Sequence, residues 1–244
     1  MNEFETDNTE NWEKYANLYD QNIGDDGDEF HRELIDPAIL EICGNLDGKN
    51  LIDAGCGNGY FSAKLIKLGA SRVIGIDRSK RLIDIARKKF GSPRLLFDIF
   101  DLNQGFSNYS EPIDIIIASM VLQYMHDLEA FSKNAYQLLQ KGSKVVISID
   151  HPFHMAIMRA LRLNDISTPK FIDDTPYFQA AYCKKNSLWD KAVLGYYHRP
   201  VEQYISPFLR KEFCLTNFKE IGRSVNIGKT SEIIPRVLIL EFSQ

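Results

Sequence analysis

The chain lacks the features that would commit it to a membrane, a disulfide scaffold or a polyanion. No apolar run approaches the roughly 18 residues a bilayer span requires. Lys and Arg number 29 against 33 Asp and Glu, a net charge of −4. No basic excess marks a nucleic-acid partner, although a sum of this kind leaves room for a local patch. The four cysteines (Cys43, Cys56, Cys183 and Cys214) are too scattered for a metal knuckle or a redox pair. Free thiols in a reducing compartment are the expectation. The opening stretch MNEFETDNTE is acidic and polar, unlike a signal or transit peptide. Internal repeats and low-complexity tracts are missing too. A cytoplasmic protein with no membrane and no nucleic-acid partner is expected; monomer and homodimer remain equally open.

What is present is enough apolar material for a core. Of 244 residues, 44% are hydrophobic, which suits one α/β domain over 1–244 with elaborations. An N-terminal helical cap is expected over 1–45. Trp12, Tyr15, Leu18 and Tyr19 share one helical face there. Asp36-Pro37 reads as a helix cap followed by a first-turn proline. From residue 50, strand and helix patterns alternate. Strands are expected at 50–54 (NLIDA), 72–76 (RVIGI), 94–98 (RLLFD), 113–118 (IDIIIA) and 144–149 (KVVISI). Helices lie between them, two of them capped by Ser79 and Asp127 and two stopped by Gly69 and Gly142. Such alternation predicts a Rossmann-like, doubly wound, mostly parallel sheet, whose ligands bind beyond the carboxyl ends of the strands. Residues 151–195 break the pattern and are expected to form a lid or substrate-binding insertion. A strand at 193–198, a helix at 201–213 and strands at 214–221 and 236–242 follow.

The most informative segment is Asp53-Ala54-Gly55-Cys56-Gly57-Asn58-Gly59, between the first strand and its helix. Gly55 and Gly57 permit a sharp turn and close approach of a ligand. A dinucleotide site would need glycine at position 60, where this chain has Tyr60. An acid also stands two residues before the loop. A pyrophosphate disfavours that neighbour, whereas a ligand carrying an ammonium and a sulfonium welcomes Asp53. This counts against a nicotinamide-dependent oxidoreductase. Asp77, ending the second strand, is placed to accept from two ribose hydroxyls. Asp101 is placed to meet an adenine amino group, and Leu102 to offer a backbone amide and an apolar contact.

The segments LIDAGCGNGYFSAKL, VIGIDRS, FDIFDL and IDIIIASMVLQYM, in this order and spacing, resemble the class I S-adenosylmethionine-dependent methyltransferases over residues 48–150. The resemblance implies a seven-stranded sheet whose last strand is antiparallel, and S-adenosylmethionine as cofactor with S-adenosylhomocysteine as product. It implies cofactor contacts at Gly55, Gly57, Gly59, Asp77, Asp101 and Leu102; Cys56 and Arg78, their neighbours, join the candidates. Ala118, Ser119 and Met120 would face the methionine part and the acceptor. Tyr15 and Tyr19 resemble the N-terminal helix that closes over the cofactor, or belong to a plain packing helix. Many relatives carry His where this chain has Gln123.

For the transfer itself, His151, His154 and His198 are the candidate bases, since histidine titrates near neutrality. The bland reading is that Pro152 turns the chain and the histidines bond nearby backbone. His151-x-x-His154 lacks a third ligand, so no metal is expected. Phe153, Phe171, Tyr177, Phe178, Tyr182 and Trp189 either line an acceptor pocket or pack the insertion down. A small-molecule methyl acceptor, methylated on O or N by in-line displacement, is the leading reading. A tRNA-modifying enzyme on the same fold and a non-catalytic cofactor-binding protein are the alternatives.

Overall fold

The computed structural model describes residues 3–104, 109, 112–154, 177–178, 180–186, 193–227 and 230–244. Phe171 and Trp189 of the expected insertion lie outside the described residues. Strands β1 (Asn50–Ala54), β2 (Arg72–Asp77), β3 (Leu95–Ile99), β4 (Ile115–Ser119) and β5 (Lys144–Asp150) lie in one sheet. The crossover helices are α3 (Tyr60–Lys67), α4 (Lys80–Phe90) and α5 (Leu128–Leu138). The chain then adds β6 (Ala181–Asn186), β7 (Val193–His198), α6 (Val201–Leu209), β8 (Cys214–Ile227) and β9 (Thr230–Ser243).

The main sheet has seven strands in the order β3-β2-β1-β4-β5-β9-β8. The first five are mutually parallel, and β9 runs antiparallel to both β5 and β8. Central strands read as unbroken apolar runs because both faces are covered. The alternation is still visible in where each residue packs. Leu51, Ile115 and Ile117 join the core layer under α2 (Asp36–Cys43), α3 and α4. Ile52, Ile116 and Ala118 join the opposite layer under α5 and α6. There Phe208 of α6 stacks on Phe242 of β9 with centroids 4.3 Å apart. Each such buried ring is worth about 3–5 kcal/mol against truncation to alanine.

Ser79 and Asp127 cap α4 and α5 as expected, accepting from the N–H of Leu82 and Ala130. Apart from α6, which ends at Leu209 rather than 213, four details differ. Asp36 does not cap a helix: a π-helical turn (His31–Ile35) runs straight into α2, and the Asp36 N–H donates to the His31 carbonyl. Its buried carboxylate instead accepts from Tyr60 Oη (3.1 Å) and Lys64 Nζ (2.6 Å). Second, β4 starts at Ile115 rather than 113. Third, Val193–His198 is a strand but not in the main sheet. It pairs with β6 in a separate two-stranded sheet, which packs β7 against α1 (Glu3–Ile23) and the turn after β4. Fourth, β8 and β9 are 14 residues each. Past the Asp150↔Val237 pair they continue as a hairpin arm beyond the carboxyl edge of β5. Among the described residues no helix is long and apolar enough to cross a membrane.

Candidate active site

Because β2, β1 and β4 are neighbours in register, their carboxyl ends bring Asp77, the 53–59 loop and Ser119 onto one edge. Asp101 follows β3 on one side, and His151 follows β5 on the other. The loop is shaped by three glycines in the left-handed region, Gly55 (φ 78°), Gly57 (φ 57°) and Gly59 (φ 85°), where a Cβ is strained. They serve different neighbours. A Cβ on Gly55 would stand 2.5 Å from Val121 Cγ2, and one on Gly57 would stand 2.9 Å from Tyr19 Oη. Gly59 packs against Phe97 and Ala86. The N–H groups of Gly55 and Cys56 donate to the Ile76 carbonyl, fastening the loop to β2.

The acids of the edge are held in distinct ways. Asp77 accepts from the N–H of Gly57 (3.1 Å) and Ser79 (2.9 Å); burial raises its carboxyl, and these N–H groups oppose the rise. Asp53 is buried and accepts from Ser62 Oγ at 2.5 Å. Burial pushes its carboxyl up to about 7, against the pull of that hydrogen bond. Cys56 is buried in the loop, and burial raises its thiol. Arg78 leaves Nη2 covered and without a partner. Asp101 turns onto its own loop, accepting from the N–H and Nδ2 of Asn103 at 3.0 and 2.8 Å, beside buried Leu102. Ala118 is buried, and Ser119 Oγ meets Ser148 Oγ at 3.1 Å. Met120 has a left-handed φ of 54°, held by its N–H on the Ser148 carbonyl. Left-handed non-glycine residues are uncommon and concentrate at functional sites.

Helix α1 lies across this edge. Tyr19 sits over Gly57, and burial raises its hydroxyl. Tyr15 is partly exposed on the same helix. The anchors of α1 are residues that sequence reasoning passed over. Glu13 accepts from Ser79 Oγ (2.6 Å) and the Arg81 N–H (3.0 Å) at the start of α4. Asn58 Nδ2 donates to Asp20 and to the Gly24 carbonyl, both at 2.8 Å. Lys89 pairs with Asp20 at 2.6 Å.

The histidines are not alike. His151 has both nitrogens engaged: Nδ1 accepts from the Phe153 N–H (3.1 Å) and Nε2 meets Glu220 (2.8 Å). Burial lowers its pKa while Glu220 opposes. His154 is buried with Nδ1 unpartnered; burial and then the Arg236 charge push it down to about 4. That arginine pairs with Asp150 in a buried bridge. His198 Nε2 lies 3.0 Å from the Tyr177 carbonyl. Gln123, in the 3₁₀ turn Leu122–Tyr124, is 2% exposed, and its amide has no partner. Among the described residues no group of His, Cys, Asp and Glu is placed to hold a metal.

A doubly wound parallel sheet with an antiparallel strand beside β5, and a glycine loop with a carboxylate at the end of β2, define the class I S-adenosylmethionine-dependent methyltransferases. A methyltransferase-domain family model matches residues 28–190, and the chain belongs to that family. It is 24% identical over 194 residues to an uncharacterized protein of Haemophilus influenzae, covering 77% of this chain and 76% of that one. It is 33% identical over 108 residues to the mitochondrial ubiquinone biosynthesis O-methyltransferase of Rattus norvegicus. That match covers 42% of this chain and only 31% of the rat enzyme's length. Magnesium protoporphyrin IX methyltransferase of Synechocystis PCC 6803, solved with S-adenosylhomocysteine, shares the fold. Its TM-score is 0.65 at 17% identity, covering 99% of this chain and all of that one.

Proposed function

We propose that the chain moves a methyl group from S-adenosylmethionine to an O or N atom of a small molecule. The observation that carries this is the carboxyl edge itself, where the left-handed glycine loop and the Asp77 carboxylate meet under α1. A Cβ at Gly57 would meet the Tyr19 ring, so the bare backbone of this glycine lets α1 close directly onto the loop. When bound, the cofactor supplies a methyl on a sulfonium that a nucleophile displaces in line. Asp77 would accept from the ribose hydroxyls, Asp101 and Leu102 would hold the adenine, and Asp53, with the glycines and Ala118–Ser119, would hold the methionine part. Tyr15 and Tyr19 cover the site from α1, with Cys56 and Arg78 as neighbours of the contacts. We read 1–45 as a cap and 151–195 as a lid, to which β6 and the start of β7 belong.

Of the candidate bases, His151 holds the first turn of the lid with both nitrogens. His154 and His198 remain to take a proton from a neutral acceptor. With its pKa pushed down to about 4, His154 is neutral across physiological pH but only a weak base. The rat and Synechocystis relatives are named for small-molecule chemistry, and the acidic chain fits that class and a cytoplasmic setting. Calorimetric titration with S-adenosylhomocysteine tests the site. Asp77→Ala is expected to weaken binding at least about tenfold, or 1.4 kcal/mol; unchanged affinity removes the assignment.

A further inference from the structure

Two buried polar groups around the turn after β4 are left unpaired, and the reading above has not used them. Gln123 is 2% exposed, and neither Nε2 nor Oε1 has a hydrogen-bond partner. Arg199, directly after β7, is 8% exposed. Its Nη2 donates to the carbonyls of Met125 (2.7 Å) and His126 (2.8 Å), and its guanidinium lies 4.7 Å from the centre of the Tyr197 ring. Its Nη1 is covered and unpartnered. Arg199 also borders a groove of about 410 Å³ that includes Asp127, Glu129 and Glu202. Those carboxylates are otherwise engaged or solvated: Asp127 caps α5, Glu129 is held by Arg210, and Glu202 is exposed.

An unpaired buried amide costs about 1–3 kcal/mol, and a buried charge without a counter-charge costs more. Folded proteins seldom tolerate either, so each calls for an explanation. Here both hang on one short segment, because Arg199 grips the backbone two and three residues beyond Gln123.

We propose that Gln123 and Arg199 form the acceptor subsite of the methyltransferase proposed above, and that it takes a small carboxylic acid with a hydroxyl or amine beside its carboxylate. The carboxylate pairs with Arg199 Nη1 and accepts from Gln123 Nε2. The neighbouring O–H or N–H donates to Gln123 Oε1. An amide does not titrate in this range, so Gln123 selects the acceptor and does not deprotonate it. Both polar ends are sealed from water, so the acid reaches them by parting β7 from the 3₁₀ turn.

The test is fluorine NMR of trifluorolactate with the full chain, with and without S-adenosylhomocysteine. Saturable broadening is expected with trifluorolactate and not with trifluoroacetamide. Arg199→Met and Gln123→Leu each weaken it at least fivefold, and Arg199→Lys falls between. Gln123→Leu should melt no lower than the parent, since it removes an unpaired amide; a purely structural glutamine would lower the melting temperature. Absent broadening, unchanged affinity in the variants, or equal displacement by inorganic phosphate overturns the proposal. If Arg199→Met does not fold, Gln123→Leu and Arg199→Lys decide. Cofactor affinity in the same samples reports separately on the methyltransferase reading, because trifluorolactate binding is also measured without cofactor.

Discussion

Asp53 links stability to pH in a direction opposite to most carboxylates. Its folded pKa is about 7 against an ordinary 3.8, and the unfolded chain takes the ordinary value. Between these, the folded state holds a proton that the unfolded state has released, so stability falls as pH rises from about 4 to about 7. At about 1.4 kcal/mol per unit, the penalty is about 2 kcal/mol at pH 5 and about 4 kcal/mol at pH 8. Asp53→Asn keeps an oxygen for Ser62 and carries no charge at any pH. The variant should therefore gain on the parent by about 2–3 kcal/mol more at pH 8 than at pH 5, or about 5–10 °C in Tm. Differential scanning calorimetry at the two pH values reads this directly. S-adenosylhomocysteine titrations on the same samples read the other half. If Asp53 faces the ligand's ammonium as proposed above, affinity falls in the variant at pH 8, where the parent's Asp53 is ionised, and differs little at pH 5. A stability difference that does not grow with pH refutes the reasoning.

Gly55→Ala adds left-handed strain and a 2.5 Å clash with Val121, together about 2–4 kcal/mol. Val121→Ala in the same chain should recover only the steric part, and full recovery in thermal melts would show that φ is not a constraint. Glu13→Ala removes the oxygen that receives Ser79 and Arg81. Amide exchange along the described part of α1 should quicken about fivefold, from the roughly 1 kcal/mol of a lost helix cap; unaltered exchange would mean that α1 is held elsewhere.

The parts of the fold that were legible are those written in local pattern. Five apolar runs gave the five parallel strands, and Ser79 and Asp127 announced their caps because a cap acts three residues away. The glycine loop was readable for the same reason: Gly55, Gly57 and Asp53 carry their conformational and charge requirements within seven residues. The anchoring by Glu13 and the backbone grip of Arg199 were not legible, because each depends on neighbours brought in by the sheet. Glu13 serves Ser79, 66 residues on, and Arg199 grips Met125, 74 residues back. Asp36-Pro37 misled because the preceding turn is π-helical and extends the helix through the expected cap. The hairpin arm of β8 and β9 was missed since Arg223, Ser224, Ser231 and Glu232 are polar; their strand character comes from pairing across the hairpin, Arg223 with Ile234, Ser224 with Ile233, Ser231 with Asn226 and Glu232 with Val225.

The order of strands in the sheet differs from their order of synthesis. The later-made β9 lies between β5 and β8, so during translation β5 carries a bare edge while the insertion, α6 and β8 are produced. An open apolar strand edge is a template for pairing with another chain. Between the completion of β5 and the arrival of residues 230–243, then, the growing sheet presents an uncovered strand edge, and that interval is the one in which another chain has access to it.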